Sequence, residues 1–218
     1  MVVAKVKQTY SILGNAVNMM ISEQGCGVSS CYNTVSAPDI ETIAGWMDKY
    51  FKYTEKTCVP ANGSKKAISW LPEFGYTLDG QKTNNPVHSV AYNFGNHLNS
   101  NVCFYKLNNG VNLAITRHNT FDPNGGSVLY FVMDANGKQG PNRVGKDVFV
   151  FTSSSSSYSS SRNHALSGEF ALHAWSSASM AGGMCYTTWT YIKKKCPLDE
   201  KTPTLYVLTY GKLPNLTP

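Results

Sequence analysis

The stretch Val132–Phe151 reads VMDANGKQGPNRVGKDVFVF, and it predicts two strands joined by an acidic, glycine-containing loop. The apolar run SVLYFVM ends the first strand, and VFVF begins the second. Within the loop, Asn136-Gly137 suits a turn that needs positive φ, and Pro141 excludes a regular hydrogen-bond ladder. A loop of this kind keeps its shape either by internal hydrogen bonds or by a cation that prefers oxygen ligands.

The side chains of Asp134, Asn136 and Asp147 are the candidate metal ligands of this loop, and calcium is the ion that their oxygens would suit. Their spacing is not that of an EF-hand. The alternative is that no ion is needed. In that case Asp134 and Asn136 form Asx-turns, and Asp147 bonds to Lys138, Arg143 or a backbone amide.

The N-terminal stretch Met1–Gln24 predicts a helix that lies across a sheet. Its apolar residues recur at helical spacings of three and four, and Gly25 provides a stop. We expect this helix to bury a core stripe made of Val6, Tyr10, Leu13, Val17 and Met20.

The middle of the chain predicts an antiparallel meander of about four strands. Asn108-Asn109-Gly110 is a strong hairpin signal between two apolar runs. The strand candidates are Asn101–Leu107, Val111–Arg117, Val128–Met133 and Asp147–Thr152. A long helix followed by such a meander predicts the α+β class.

A second helix is expected at Asp39–Glu55, capped by Ser36 and with an apolar face made of Ile40, Ile43, Met47 and Phe51. Further short strands are expected at Lys65–Leu71 and Tyr76–Leu78, and Glu169–Ala178 suits a short helix or a strand. The serine-rich run Ser153–Ser161 suits a flexible insertion, an O-modified surface loop or a serine-rich edge strand. Several prolines predict an extended C-terminal tail, namely Pro197, Pro203, Pro214 and Pro218.

The cysteine count favours an exported protein with disulfides. There are six cysteines, with no Cys-x-x-Cys pair and no histidine at zinc-finger spacing, so structural zinc is disfavoured. Six cysteines can pair in as many as fifteen ways. The candidates are Cys26, Cys31, Cys58, Cys103, Cys185 and Cys196.

Composition and motifs argue against nucleic-acid binding and against catalysis. The net charge is +6, but the lysines are scattered and the only tight basic run is Lys193–Lys195, without interleaved aromatic residues. No nucleophile elbow, Walker loop, dinucleotide fingerprint or His-Glu-x-x-His motif occurs. We therefore predict no enzyme, no catalytic residue and no nucleic-acid partner; the isolated histidines are His88, His97, His118, His164 and His173.

Two segments carry a resemblance to a known family. VAKVKQTYSILGNAVNMMISEQGC resembles the second half of the long first helix of type IV pilins and type II secretion pseudopilins. DANGKQGPNRVGKDVFVF is similar to a segment that recurs in prepilin-type proteins. The resemblance implies a pilin-like fold and a structural subunit of a type IV pilus or a pseudopilus. Its partners would be other such subunits, and its location the bacterial cell envelope or surface.

The resemblance also implies a domain plan and several finer features. The whole chain, 1–218, would be one pilin-like domain, with the helix half at 1–24 and a connecting region at 25–100. The sheet would occupy 101–152 and a variable region 153–218. A disulfide between Cys185 and Cys196 would close a C-terminal loop, although a fully helical segment there would hold the two sulfurs too far apart. Calcium in the acidic loop is permitted, since some pseudopilins hold it after the sheet.

A complete prepilin also has a basic leader, a glycine-phenylalanine processing site and about twenty apolar residues that span the inner membrane. Since Met1–Ala4 is the longest apolar run near the start, we expect this sequence to be the soluble part of such a subunit. The alternative is a secreted carbohydrate- or surface-binding β-rich module, in which Trp175 and Trp189 would stack on the ligand.

Overall fold

The structure is a computed structural model, and it describes part of the chain. The described residues are 1–25, 38–60, 68–72, 75–76, 82–83, 101–119, 127–140, 142–154, 171–174 and 203–213. Within them a helix-covered antiparallel sheet forms, so the α+β class is confirmed. None of the described helices is both long enough and apolar enough to cross a membrane.

Helix α1, Val2–Gln24, has the extent that the sequence predicts. Of the five residues predicted to form its core stripe, four are fully buried and Tyr10 is partly buried, with its ring 6.0 Å from that of Phe151. Thr9 and Ala16 complete the buried side of the helix. Gly25 ends it in the left-handed conformation at φ 58°, which a residue without a Cβ adopts at little cost.

Helix α2, Ile40–Met47, is shorter than the predicted Asp39–Glu55. Asp39 is itself the N-cap, because its carboxylate accepts a 2.7 Å hydrogen bond from the backbone N–H of Thr42, while Ser36 lies outside the described residues. A 3-10 turn, Asp48–Tyr50, follows, and the chain then becomes extended. The predicted apolar face is confirmed for Ile40, Ile43 and Met47, which are buried on the helix; Phe51 is buried too, but it lies in extended chain after the 3-10 turn.

The main sheet has six strands rather than about four, and every neighbouring pair is antiparallel. Two of these strands were not part of the predicted meander, and they form the two edges of the sheet: Tyr53–Val59 and Ala171–Ala174. The order across the sheet is β1-β4-β5-β6-β7-β8, in which the strands are β1 Tyr53–Val59, β4 Val102–Leu107, β5 Asn112–Asn119, β6 Ser127–Asp134, β7 Val148–Ser154 and β8 Ala171–Ala174.

The hairpin between β4 and β5 is the one that the sequence predicts. Leu107 and Val111 close its turn, with a 2.8 Å hydrogen bond from Leu107 N to Val111 O. Gly110, at φ 76°, occupies the left-handed position of a three-residue loop. The signal was local, since Asn-Asn-Gly favours this turn in whatever sheet contains it.

Both faces of the sheet are buried, which makes the described structure three layers deep. The first face packs against α1, α2 and the C-terminal helix, and it is lined by Cys103, Tyr105, Leu107, Leu113, Ile115, Leu129, Phe131, Met133, Phe149 and Phe151. The second face has its own apolar cluster, which includes Val102, Phe104, Ala114, Tyr130, Val132, Val148 and Val150 together with Ile68 and Leu71. Alternate residues along each strand supply the two clusters, as the pleat requires.

The strand predicted at Lys65–Leu71 is wrong. The described part of Lys65–Leu71 forms a turn rather than a strand, and Ile68 and Leu71 cover the second face of the sheet from there. A two-stranded ribbon does form nearby, from β2 Gly75–Tyr76 and β3 Lys82–Thr83.

The C-terminal tail is not wholly extended either, because Pro203–Tyr210 forms helix α3. Pro203 is its first residue, where the missing N–H costs nothing and the fixed φ suits a helix. Val207 lies in the first core cluster, and the Thr204 hydroxyl oxygen accepts a 3.1 Å hydrogen bond from Val150 N.

One disulfide lies within the described residues, between Cys58 on β1 and Cys103 on β4. The two residues are directly opposed across the antiparallel pair, with their Cα atoms 4.0 Å apart. Both belong to the predicted set, although no pairing pattern in the sequence singled out this pair. The other candidates lie outside the described residues: Cys26, Cys31, Cys185 and Cys196.

We expect Leu13→Asp to unfold or aggregate the protein, because Leu13 is fully buried and a carboxylate at its position would lose its hydration without gaining a hydrogen-bond partner. The free energy of unfolding should fall by at least about 3 kcal/mol in urea denaturation. Asn15→Asp is the control, since Asn15 is exposed on the same helix. A Leu13→Asp variant as stable as the control would refute the packing of α1.

We expect the Cys58→Ala/Cys103→Ala variant to lose about 2–4 kcal/mol of unfolding free energy, because the bond closes a loop with a sequence separation of 45. Urea denaturation without reductant measures this loss. Each single variant should show at least the same loss. Unchanged stability in the double variant would contradict a disulfide at this pair.

Candidate functional site

The acidic loop 135–147 connects β6 to β7 at one end of the sheet. The backbone N–H of Ala135 donates a 2.7 Å hydrogen bond to the Asp147 carbonyl, which closes its base. Gly137 at φ 66° confirms the predicted positive-φ turn, and Asn142 at φ 50° adopts the left-handed region that asparagine tolerates. The loop is therefore shaped by its own turn residues, as the sequence suggested.

Asp147 organises the loop by accepting hydrogen bonds from three N–H groups. Its carboxylate receives the backbone N–H of Asn142 at 2.9 Å, the side-chain amide of Asn136 at 3.1 Å, and the backbone N–H of Arg143. Two of these donors are backbone amides, as expected from the sequence for a loop that holds its shape without an ion. Most of the acceptor capacity of this carboxylate is thus used within the loop.

Asp134, the last residue of β6, is fully buried. Its Oδ1 accepts the backbone N–H of Asn136 at 3.2 Å, which is the predicted Asx-turn, while its Oδ2 has no partner among the described residues. Burial, opposed by the hydrogen bond from Asn136, raises the pKa of this carboxyl to about 7, and the negative charge of Asp147 acts in the same direction as burial. Burial also raises the pKa of Asp147.

Asn112 is a residue of the site that sequence analysis missed. It opposes Asp134 across the β5–β6 ladder, so the two side chains lie on the same face of the sheet. Its buried Nδ2 has no partner within the described part of the chain, and a Cβ added at Gly137 would lie 3.8 Å from that nitrogen. Only the strand register brings Asn112 to this loop, so no local pattern could have identified it.

Lys5 on α1 is the second missed residue. Its Nζ donates a 2.7 Å, partly buried hydrogen bond to the carbonyl oxygen of Ala135, across a sequence separation of 130. Its ammonium is also an electrostatic partner of Asp134 and lowers the pKa of that carboxyl. A lysine within an otherwise apolar stretch of helix was the available signal, but it did not indicate where the side chain would bind.

The three predicted metal ligands do come together, because Asn136 donates its backbone N–H to Asp134 and its side-chain amide to Asp147. Two oxygens have no partner among the described residues, Oδ2 of Asp134 and Oδ1 of Asn136. Calcium prefers six to eight oxygens, and the nearby orphan group of Asn112 is a donor rather than a ligand. In the part of the chain that the structure describes, no cluster of three or more His, Cys, Asp or Glu residues is present. The described residues thus offer an incomplete calcium site.

We expect Asp134→Asn to flatten the pH dependence of stability. The pKa of Asp134 is raised from 3.8 to about 7 in the folded protein, so its contribution to stability is complete below pH 4 and is lost as the pH rises towards 7. The wild type should lose up to about 4 kcal/mol of unfolding free energy over this range relative to the variant. Urea denaturation at a series of pH values measures the difference. Parallel profiles would show that Asp134 titrates normally.

The chain was compared with protein-family models, with curated proteins and with solved structures. None of the three comparisons gave a match.

Proposed function

We propose that this protein is a structural subunit of a type IV pilus or of a type II secretion pseudopilus, which assembles through α1. In this proposal the chain forms a single pilin-like domain, and its partners are further pilin or pseudopilin subunits. An apolar N-terminal extension of the helix anchors the subunit in the inner membrane. The sheet and the loops after it face outward, and no residue acts as a catalyst.

The observation that carries the proposal is that α1 has two different sides, one apolar and buried and the other polar and exposed. One side packs on the sheet and is fully buried. The opposite side consists of small or uncharged polar residues along the whole helix: Ala4, Gln8, Ser11, Asn15, Asn18 and Ser22. Small residues let helices approach closely, which suits packing against the helices of neighbouring subunits.

The charged residues of α1 are occupied by contacts within the protein. Lys5 binds the Ala135 carbonyl, and Glu23 forms an ion pair with Lys49. The Lys7 ammonium lies beside Gly211, at the C-terminal end of α3, where the helix dipole favours a positive charge. Between Gln8 and Ser22 the helix carries no charge, so its outward face can be buried by a partner without a charge-desolvation penalty.

The Cys58–Cys103 bond supports a location in the bacterial cell envelope or at the cell surface. Disulfides form and persist in oxidising compartments such as the periplasm, and they are rare in the bacterial cytoplasm. The alternative of a secreted carbohydrate- or surface-binding module depends on Trp175 and Trp189, which lie outside the described residues.

The coding sequence upstream of Met1 tests the proposal. We expect it to encode a basic leader, a glycine-phenylalanine site and a glutamate four residues after that phenylalanine, within an apolar run. A secretory signal with a small-residue cleavage site in that position would contradict the pilin proposal and favour the secreted module. If the expected extension is found, cross-linking of the full-length protein in its native host should capture contacts between α1 helices.

A further inference from the structure

We propose that Lys5 brings a positive charge from α1 to the base of the acidic loop, so that an ammonium, rather than a metal ion, completes the loop and locks the helix to it. The inference concerns the isolated chain and goes beyond the proposed function, since it holds whether or not the protein enters a filament. It assigns Lys5 a role as a positioning residue.

The first argument is the place that the ammonium occupies. Nζ of Lys5 is bonded to the carbonyl of Ala135, the residue directly after the buried carboxylate of Asp134. The lysine reaches this point past the β4–β5 turn, where a Cβ added at Gly110 would lie 3.5 Å from Nζ. Two turns of the sheet therefore meet at the lysine head group, close to the most buried negative charge of the loop.

The second argument is that the loop leaves little for a metal ion to bind. Asp147 already accepts three N–H groups, and Oδ1 of Asp134 accepts a fourth. The Lys5 ammonium already acts electrostatically on the Asp134 carboxyl, so a divalent cation at the orphan oxygen of Asp134 would be repelled by it. The orphan side-chain atoms of Asn112, Asp134 and Asn136 are one donor and two acceptors, groups that a buried water can satisfy as well as a cation can.

The third argument is that neighbouring contacts hold the same part of α1. The side-chain amide of Asn109, in the β4–β5 turn, donates a 3.1 Å hydrogen bond to Gln8. Lys7 lies beside Gly211, after α3. The apolar stripe supplies most of the buried area of the helix, and the directional hydrogen bond from Lys5 adds a contact of defined geometry near its N-terminal end.

The test compares Lys5→Met, which keeps the length of the side chain, with Lys7→Met as the matched control in the full chain. At low salt we expect Lys5→Met to lower the Tm by roughly 4–8 °C, because a charged and partly buried hydrogen bond is lost. Lys7→Met should lower it by no more than about 2 °C, because Lys7 is exposed and its place beside Gly211 supplies only a solvent-screened interaction with a helix end. Lys5→Arg, which retains the charge, should recover at least half of the loss at low salt and less in molar salt.

A double-mutant cycle with Asp134→Asn separates a specific contact from a general structural effect. If the ammonium acts on the charge of Asp134, Lys5→Met should cost less than half as much in the Asp134→Asn background. Additive losses, or equal losses for Lys5→Met and Lys7→Met, would overturn the assignment.

Calcium provides the opposing outcome. We expect millimolar calcium or EDTA to leave the Tm of the wild type unchanged. A rise in Tm with calcium that is absent from Asp134→Asn would replace the lysine with a metal ion as the cation of the loop. If Lys5→Met gives no folded protein, Lys5→Arg and the calcium titration decide the question: an Arg variant close to wild type without calcium supports the proposal. An unstable Arg variant that calcium rescues overturns it.

Discussion

The buried stripe of α1 shares one core cluster with the alternating apolar residues of four neighbouring strands, β4 to β7, and the remaining contacts are arranged around that core. Apolar burial of this kind is strong but has no preferred direction along the helix axis. Position along the axis has to come from groups with defined geometry. The polar contacts at the ends of the sheet supply it, through Lys5, Gln8 and the turns that they reach.

A sheet with both faces buried also explains why the acidic loop is energetically costly. Asp134 lies where the second apolar face ends, and its cross-strand neighbour Asn112 is buried with it. Water cannot solvate this carboxylate freely, so its pKa rises and the loop needs donors of its own. The backbone N–H of Asn136 donates to Asp134, and the Lys5 ammonium, bonded to the neighbouring Ala135 carbonyl, acts on the same carboxyl electrostatically.

Sequence reasoning succeeded where the determining physics is local. The α1 stripe, the Asn108-Asn109-Gly110 turn and the positive φ of Gly137 all follow from residues close together in the chain. It failed where distant partners decide. Tyr53–Glu55 was the end of the predicted second helix, but pairing with β4 and the disulfide to Cys103 make Tyr53–Val59 a strand. The site residues Asn112 and Lys5 are brought to the loop only by strand register and by helix packing.

The bond between Cys58 and Cys103 has a mechanical consequence. A pull on the two chain ends passes from β1 directly into β4 through the sulfur atoms, so the segment that they enclose carries no tension. With a sequence separation of 45, roughly 150 Å of extended chain is withheld from stretching. The edge strand β1 likewise cannot be peeled from the sheet beyond Cys58 while the bond is intact. Under load the protein should therefore extend further once this bond is reduced than it does while the bond is intact.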